Sequence, residues 1–101
     1  MSRRNPKRTA AARLMLGTFS EDIARCILVE MGTPPAAMAE FEEVAAIRYA
    51  RELLDKRIVR RSISYRLSAK YEISQSTAYR RISAALNLPR NLYHDRPDDE
   101  N

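Results

Sequence analysis

Apolar positions along this chain recur at intervals of three and four, the spacing of helices that each bury one side. The first clear stripe is Ile23, Ile27, Leu28 and Met31, which predicts a helix over about 19–31. Thr18, Phe19, Ser20 and Glu21 precede it at capping-box spacing, where the Thr18 hydroxyl accepts from the N3 amide and Glu21 reaches back. Gly32 then supplies the left-handed residue that commonly ends a helix.

A longer pattern follows. Thr33 stands as an N-cap, Pro34 falls in the first turn where its missing N–H costs nothing, and Gly and Pro are then absent until Pro89. Met38, Phe41, Val44, Ile47, Ala50 and Leu54 keep the spacing, so one helix is predicted over roughly 34–58. A second apolar edge, Ala46, Tyr49 and Leu53, widens its buried face, to be covered either by another chain or by the capped helix before it.

The last pattern is broken in its middle. Ile63, Leu67 and Tyr71 share one side of a short helix over about 62–71, and Glu72-Ile73-Ser74 interrupts it. Ser74 is a good N-cap for a new helix from Gln75 to about Leu86, with Ala78, Ile82 and Ala85 or Leu86 inward. Ile73 is expected to point inward and pin the two helices together.

The 101-residue length fits one domain with a modest core, and the abundance of Ala, Leu, Glu and Arg with only two Gly favours helix over sheet. The expected fold is all-α, about four helices in a single domain over 14–90. A flexible basic arm over 1–13 and a flexible acidic tail over 91–101 flank it.

Charge sharpens this picture. The net charge of +5 is divided as +5 over residues 1–13, −3 over 14–59, +6 over 60–90 and −3 over 91–101. Two basic blocks thus flank a mildly acidic middle, a distribution that speaks to a polyanionic partner rather than to fold. Cys26 is the only cysteine, which excludes an intrachain disulfide, fits a reducing compartment, and in its apolar run reads as a small buried hydrophobe. His94 stands without companions at ligand spacing, so no metal site and no cofactor is expected. The apolar part of the N-terminus is about four residues, too short for a secretory segment, although its acid-poor, Arg-rich character is shared by mitochondrial presequences. No run approaches the ~20 apolar residues of a membrane span, so no membrane partner is expected.

The stretch YRLSAKYEISQSTAYRRI, residues 65–82, resembles the helix-turn-helix of bacterial and phage DNA-binding proteins. Its second half is similar to the recognition helix of site-specific invertases and resolvases in the turn Ile, the Ser-Thr after the cap, Tyr-Arg and the closing apolar residue. Two positions depart from that pattern: Glu72 stands where the family often has Gly, and Ser68 where it has a small Ala. The resemblance implies base contacts from Ser76 and Arg80 and phosphate contacts from Thr77 and Tyr79. Spacing independently places Gln75, Ser76, Tyr79, Arg80 and Ser83 outward if Ala78 and Ile82 face in. Arg80 suits a guanine fork and Gln75 suits adenine, while Arg60, Arg61, Arg66, Lys70 and Arg81 are candidates for phosphate.

An enzyme is not expected, because acid, base and nucleophile do not converge: Glu42 and Glu43 are adjacent and diverge on a helix, and a catalytic serine domain like that of invertases has no room here. The leading expectation is a dimeric regulator of transcription, cytoplasmic and nucleoid-associated, that pairs through about 18–58 and reads double-stranded DNA with 74–86. Two copies are expected because one hairpin makes too few contacts for useful discrimination. The layout is similar to that of the middle-operon activators of Mu-like phages. The basic arm resembles, in composition alone, arms that enter the minor groove, and a solubilising tail is the alternative. Other readings are a protein-interaction adaptor that contacts RNA polymerase or another regulator, and a phage DNA-packaging small subunit.

Overall fold

A computed structural model describes residues 6–88, with side chains from residue 10 onward, and these residues form five helices. They are α1 (Pro6–Thr18), α2 (Glu21–Glu30), α3 (Pro35–Asp55), α4 (Arg60–Tyr71) and α5 (Gln75–Leu86). The acidic tail over 91–101 and the first five residues of the basic arm lie outside the described residues. Among the described residues there is no strand, so the all-α expectation holds.

The chain divides into two compact units, Met1–Ala45 and Ala46–Asn101, and α3 contributes residues to both. In the first unit Ala12, Ala24, Phe41 and Val44 form a small core, with Met15, Leu16, Leu28 and Met38 packed on it. In the second, α3 supplies Ala46, Ile47, Ala50 and Leu53, α4 supplies Ile63 and Leu67, and α5 supplies Ala78, Ile82 and Ala85. Small Ala46, Ala50, Ala78 and Ala85 alternate in this core with the larger Ile63, Leu67 and Ile82. Each buried aliphatic contributes about 1.5–3 kcal/mol.

The first unit corrects the sequence reading in four places. Residues 6–13, expected in a flexible arm, are the start of α1, whose Ala12, Met15 and Leu16 reach the core. Thr18 therefore belongs to a helix end, where its hydroxyl donates to the Leu14 carbonyl at 2.9 Å. Ser20 is the N-cap of α2 instead, its hydroxyl accepting from the Ile23 amide at 3.3 Å. The predicted stripe faces the core only in part: Leu28 packs on it beside the buried Ala24 and Ile27 is half-buried, while Ile23 and Met31 are 53% and 72% exposed. Cys26, expected buried, is exposed as well.

The reason for that rotation is an ion pair. Arg25 Nε and Nη2 donate to the two carboxylate oxygens of Glu42 on α3 at 2.8 and 2.7 Å, and Nη2 also donates to Glu21 at 2.8 Å. Its guanidinium lies 5.5 Å from the centroid of the Phe41 ring. The bonds to Glu42 raise the Arg25 pKa above its ordinary value against the opposing effect of burial. This forked pair turns the Arg25 side of α2 toward α3, beside Ala24 and Leu28, and Ile23 on the opposite side then faces away.

Two differences concern α3. The Pro34 carbonyl accepts from the Met38 amide, so Pro35, one residue later than expected, holds the first helical position. The helix ends at Asp55 rather than 58, because Arg57 takes the left-handed conformation (φ 63°) and closes the end with amide bonds from Arg57 to Leu54 and from Ile58 to Leu53. The apolar edge left open between two coverings is resolved at Ala46 and Leu53, which are buried in the core shared with α4 and α5.

Candidate nucleic-acid interface

The turn between α4 and α5 is built residue by residue. Glu72 caps α4 in the left-handed conformation (φ 56°, ψ 47°), where a non-Gly residue costs roughly 1 kcal/mol. Ile73 is half-buried against the second unit's core. Ser74 returns to extended backbone and caps α5, its hydroxyl accepting from the Thr77 amide at 3.2 Å and donating to the Thr77 hydroxyl at 3.0 Å. Ser76 lies beside it, with hydroxyls 3.3 Å apart. Helix α5 spans the expected residues, and its inner side is sealed by Ala78, Ile82 and Ala85, each 0–1% exposed.

Burial on that side fixes what faces out. Ser76, Arg80 and Ser83 fall at i, i+4 and i+7 and all are exposed, a single line along the outer side of α5. Gln75, Tyr79 and Leu86 are exposed along one edge of that line, and Thr77 and Arg81, both half-buried, lie toward the other.

Gln75 is exposed by area yet tied by hydrogen bonds. Its Oε1 accepts from the Ser64 hydroxyl at 3.0 Å and its Nε2 donates to Ser68 at 3.4 Å. Both ends of its amide therefore serve the junction of the two helices, and reading a base edge requires them to let go. Ser64 is fully buried, and its hydroxyl also reaches the Arg61 carbonyl at 2.7 Å. Sequence reasoning passed over Ser64; the available signal was a serine in the inward register of α4, between Ile63 and Leu67. It also passed over Arg51 on α3, whose Nη1 donates to the Ala85 carbonyl at 3.3 Å and fastens the far end of α5.

The phosphate candidates are divided by the geometry. Arg60, Arg61, Arg66 and Lys70 are all exposed on α4. By helical spacing Arg66 and Lys70 fall on the edge of α4 opposite Ser64 and Ser68, the pair that meets α5. Lys70 Nζ sits 5.5 and 5.6 Å from the ring centroids of Tyr49 and Tyr71, which meet edge to face at 6.3 Å. Arg61 instead shares the Ser64–Ser68 edge next to the start of α5. The structure thus gathers Ser76, Arg80, Thr77, Tyr79 and Gln75 on one helix, with Arg61 at its root, and sets Arg66 and Lys70 apart.

Among the described residues no helix is long and apolar enough to cross a membrane, and no group of His, Cys, Asp or Glu is placed to hold a metal ion. No family model, curated protein or solved structure matches this chain.

Proposed function

We propose that this chain is a small, non-catalytic regulator of transcription that binds double-stranded DNA sequence-specifically as a homodimer, with α4, the turn and α5 as a helix-turn-helix and α5 in the major groove. The observation that carries the reading is the exposed line Ser76–Arg80–Ser83 on a helix capped at Ser74 and sealed behind by Ala78, Ile82 and Ala85. A recognition helix needs these properties: fixed at its start, rigid along its back and polar toward the groove. The same stretch, residues 60–90, has seven basic residues against one acid, which favours a polyanion.

Arg80 is assigned the bidentate guanine contact, worth about 1–3 kcal/mol of discrimination, with Ser76 as its companion at the helix start. Arg60, Arg61, Thr77, Tyr79 and Arg81 neutralise or position the backbone. Gln75 serves first as the strut that joins α5 to Ser64 and Ser68. Arg66 and Lys70 contribute to the general field of the second unit.

Titration of labelled duplexes with the full chain at increasing salt tests this. Log K should fall linearly with log salt, by about 0.9 per phosphate neutralised. Arg80→Ala should weaken binding to a selected site by about 1–3 kcal/mol while changing random-sequence binding less. Selection from a random pool should return a two-fold symmetric consensus. Failure of every duplex to bind at low salt would overturn the reading in favour of a protein-interaction adaptor.

A further inference from the structure

Among the described residues, the first unit carries an aliphatic stripe on α2 that is exposed at Ile23 and Met31 and half-buried at Ile27. In α2 the charged residues Glu21 and Arg25 turn toward α3, and Ile23, Ile27 and Met31 follow one another at intervals of four on the other side. Phe19, just before the cap, is also exposed, so this edge offers on the order of 400 Å² of apolar surface, the size of the largest, often functional, patch on a monomer. A stable dimer buries about 800 Å² on each partner, more than the stripe alone supplies.

Charge identifies what covers it. Glu30 and Asp22, the latter with its side chain 91% exposed and 3.6 Å from Arg25, flank the stripe, and because Arg25 is shared with Glu21 and Glu42 the edge stays net acidic. Packing α2 on its own copy would therefore set acid against acid. The complementary edge is on α1, which has no acidic residue and exposes Arg13 beside Leu14, the latter 73% exposed. Ala10 and Gly17 continue that edge at i−3 and i+4 from Arg13 and leave room for a neighbouring helix.

We infer that two copies of this chain pair through the first unit, the Arg13–Leu14 edge of α1 in one copy docking on the Ile23–Ile27–Met31 stripe of α2 in the other. A two-fold axis makes both contacts at once, which doubles the apolar area and sets Arg13 of the second copy against the net-acidic edge of Asp22 and Glu30. The inference rests on the DNA-binding reading only for the purpose of pairing, which is to present two α5 helices to two half-sites.

Sedimentation equilibrium of the full chain tests it through designed charge. Ile23→Glu should weaken the dimer about 100-fold or more while circular dichroism keeps its helix signal, since the position is exposed in the single chain. Arg13→Glu sets acid against acid, and the double variant Asp22→Lys with Glu30→Lys sets base against base, so each should be monomeric alone. Mixed one to one, the two should form a heterodimer, because both crossed contacts then become attractive. A wild-type chain that stays monomeric at about 100 µM, where an interface of this size is populated, would overturn the inference. So would a dimer indifferent to Ile23→Glu, or charge variants that fail to pair in the mixture. Low-salt duplex binding by the monomeric Ile23→Glu chain separates this outcome from the DNA reading: loss of pairing leaves it intact, whereas a wild-type dimer that ignores DNA sinks that reading alone.

Discussion

The two units use helical periodicity in opposite ways. In the second, the residues predicted inward are inward: Ile63, Leu67, Ala78 and Ile82 are sealed, and the outer line of α5 through Ser76, Arg80 and Ser83 is polar or basic, with Tyr79 and Leu86 on its edge. In the first, α2 has the same kind of stripe, yet it presents Ile23 and Met31 to solvent and seals only Ala24. The difference lies in what opposes each helix. Helix α5 is opposed by the apolar side chains of its core, whereas α2, which packs Ala24 and Leu28 on Phe41 and Val44, is opposed also by Glu42, which takes Arg25 in a forked pair.

Core truncations sharpen this contrast most. Phe41→Ala should cost about 3–5 kcal/mol and Leu67→Ala about 2–5 kcal/mol, as each truncates a large, fully buried side chain of a different core. Amide hydrogen exchange should show protection lost first over residues 6–45 in the former and 46–88 in the latter; a uniform loss in both would erase the division. Next in size is Arg25→Met, expected to destabilise the first unit by about 1–2 kcal/mol through the lost charge-assisted bonds, measured by urea unfolding. An unchanged midpoint would mean the ion pair is not what orients α2.

The turn of the second unit gives smaller effects of opposite sign. Ser74→Ala should cost about 1 kcal/mol by uncapping α5, whereas Glu72→Gly should stabilise by up to about 1 kcal/mol by relieving the left-handed backbone. Thermal melts resolve both, and Glu72→Gly should also bind duplex DNA slightly tighter, having removed a negative charge near α5. Smallest of all, Ile23→Ala should move the unfolding free energy of the single chain by less than about 0.5 kcal/mol, against the large cost at Leu67, although both positions look alike in the pattern.

Much of the second unit was legible in sequence because its cues agree. The α5 boundaries, the Ser74 cap and the awkward residue at Glu72 follow from local chemistry, and the inward register of Ala78 and Ile82 dictates the outward line through Arg80. What escaped reading depends on contacts distant in sequence. Helix α1 is held by Ala12, Met15 and Leu16 against Phe41, a partner far along the chain, so its residues look like a basic arm when read locally. The exposure of Cys26 and Ile23 follows from an Arg25–Glu42 pair separated by 17 residues. Within the candidate interface, the tie from Gln75 to Ser64 spans 11 residues, and the perch of Lys70 on Tyr49 joins two helices, so neither shows in a single helical stripe.

The most direct test of the central claim is a residue-resolved amide and side-chain NMR titration of the labelled full chain with a short duplex. The account predicts that the largest shifts fall on Ser76, Thr77, Tyr79, Arg80 and Ser83, with a new slowly exchanging guanidinium signal from Arg80 and little change at Arg66 or Lys70. Shifts confined to the first unit, or an Arg80 side chain indifferent to saturating duplex, would contradict it.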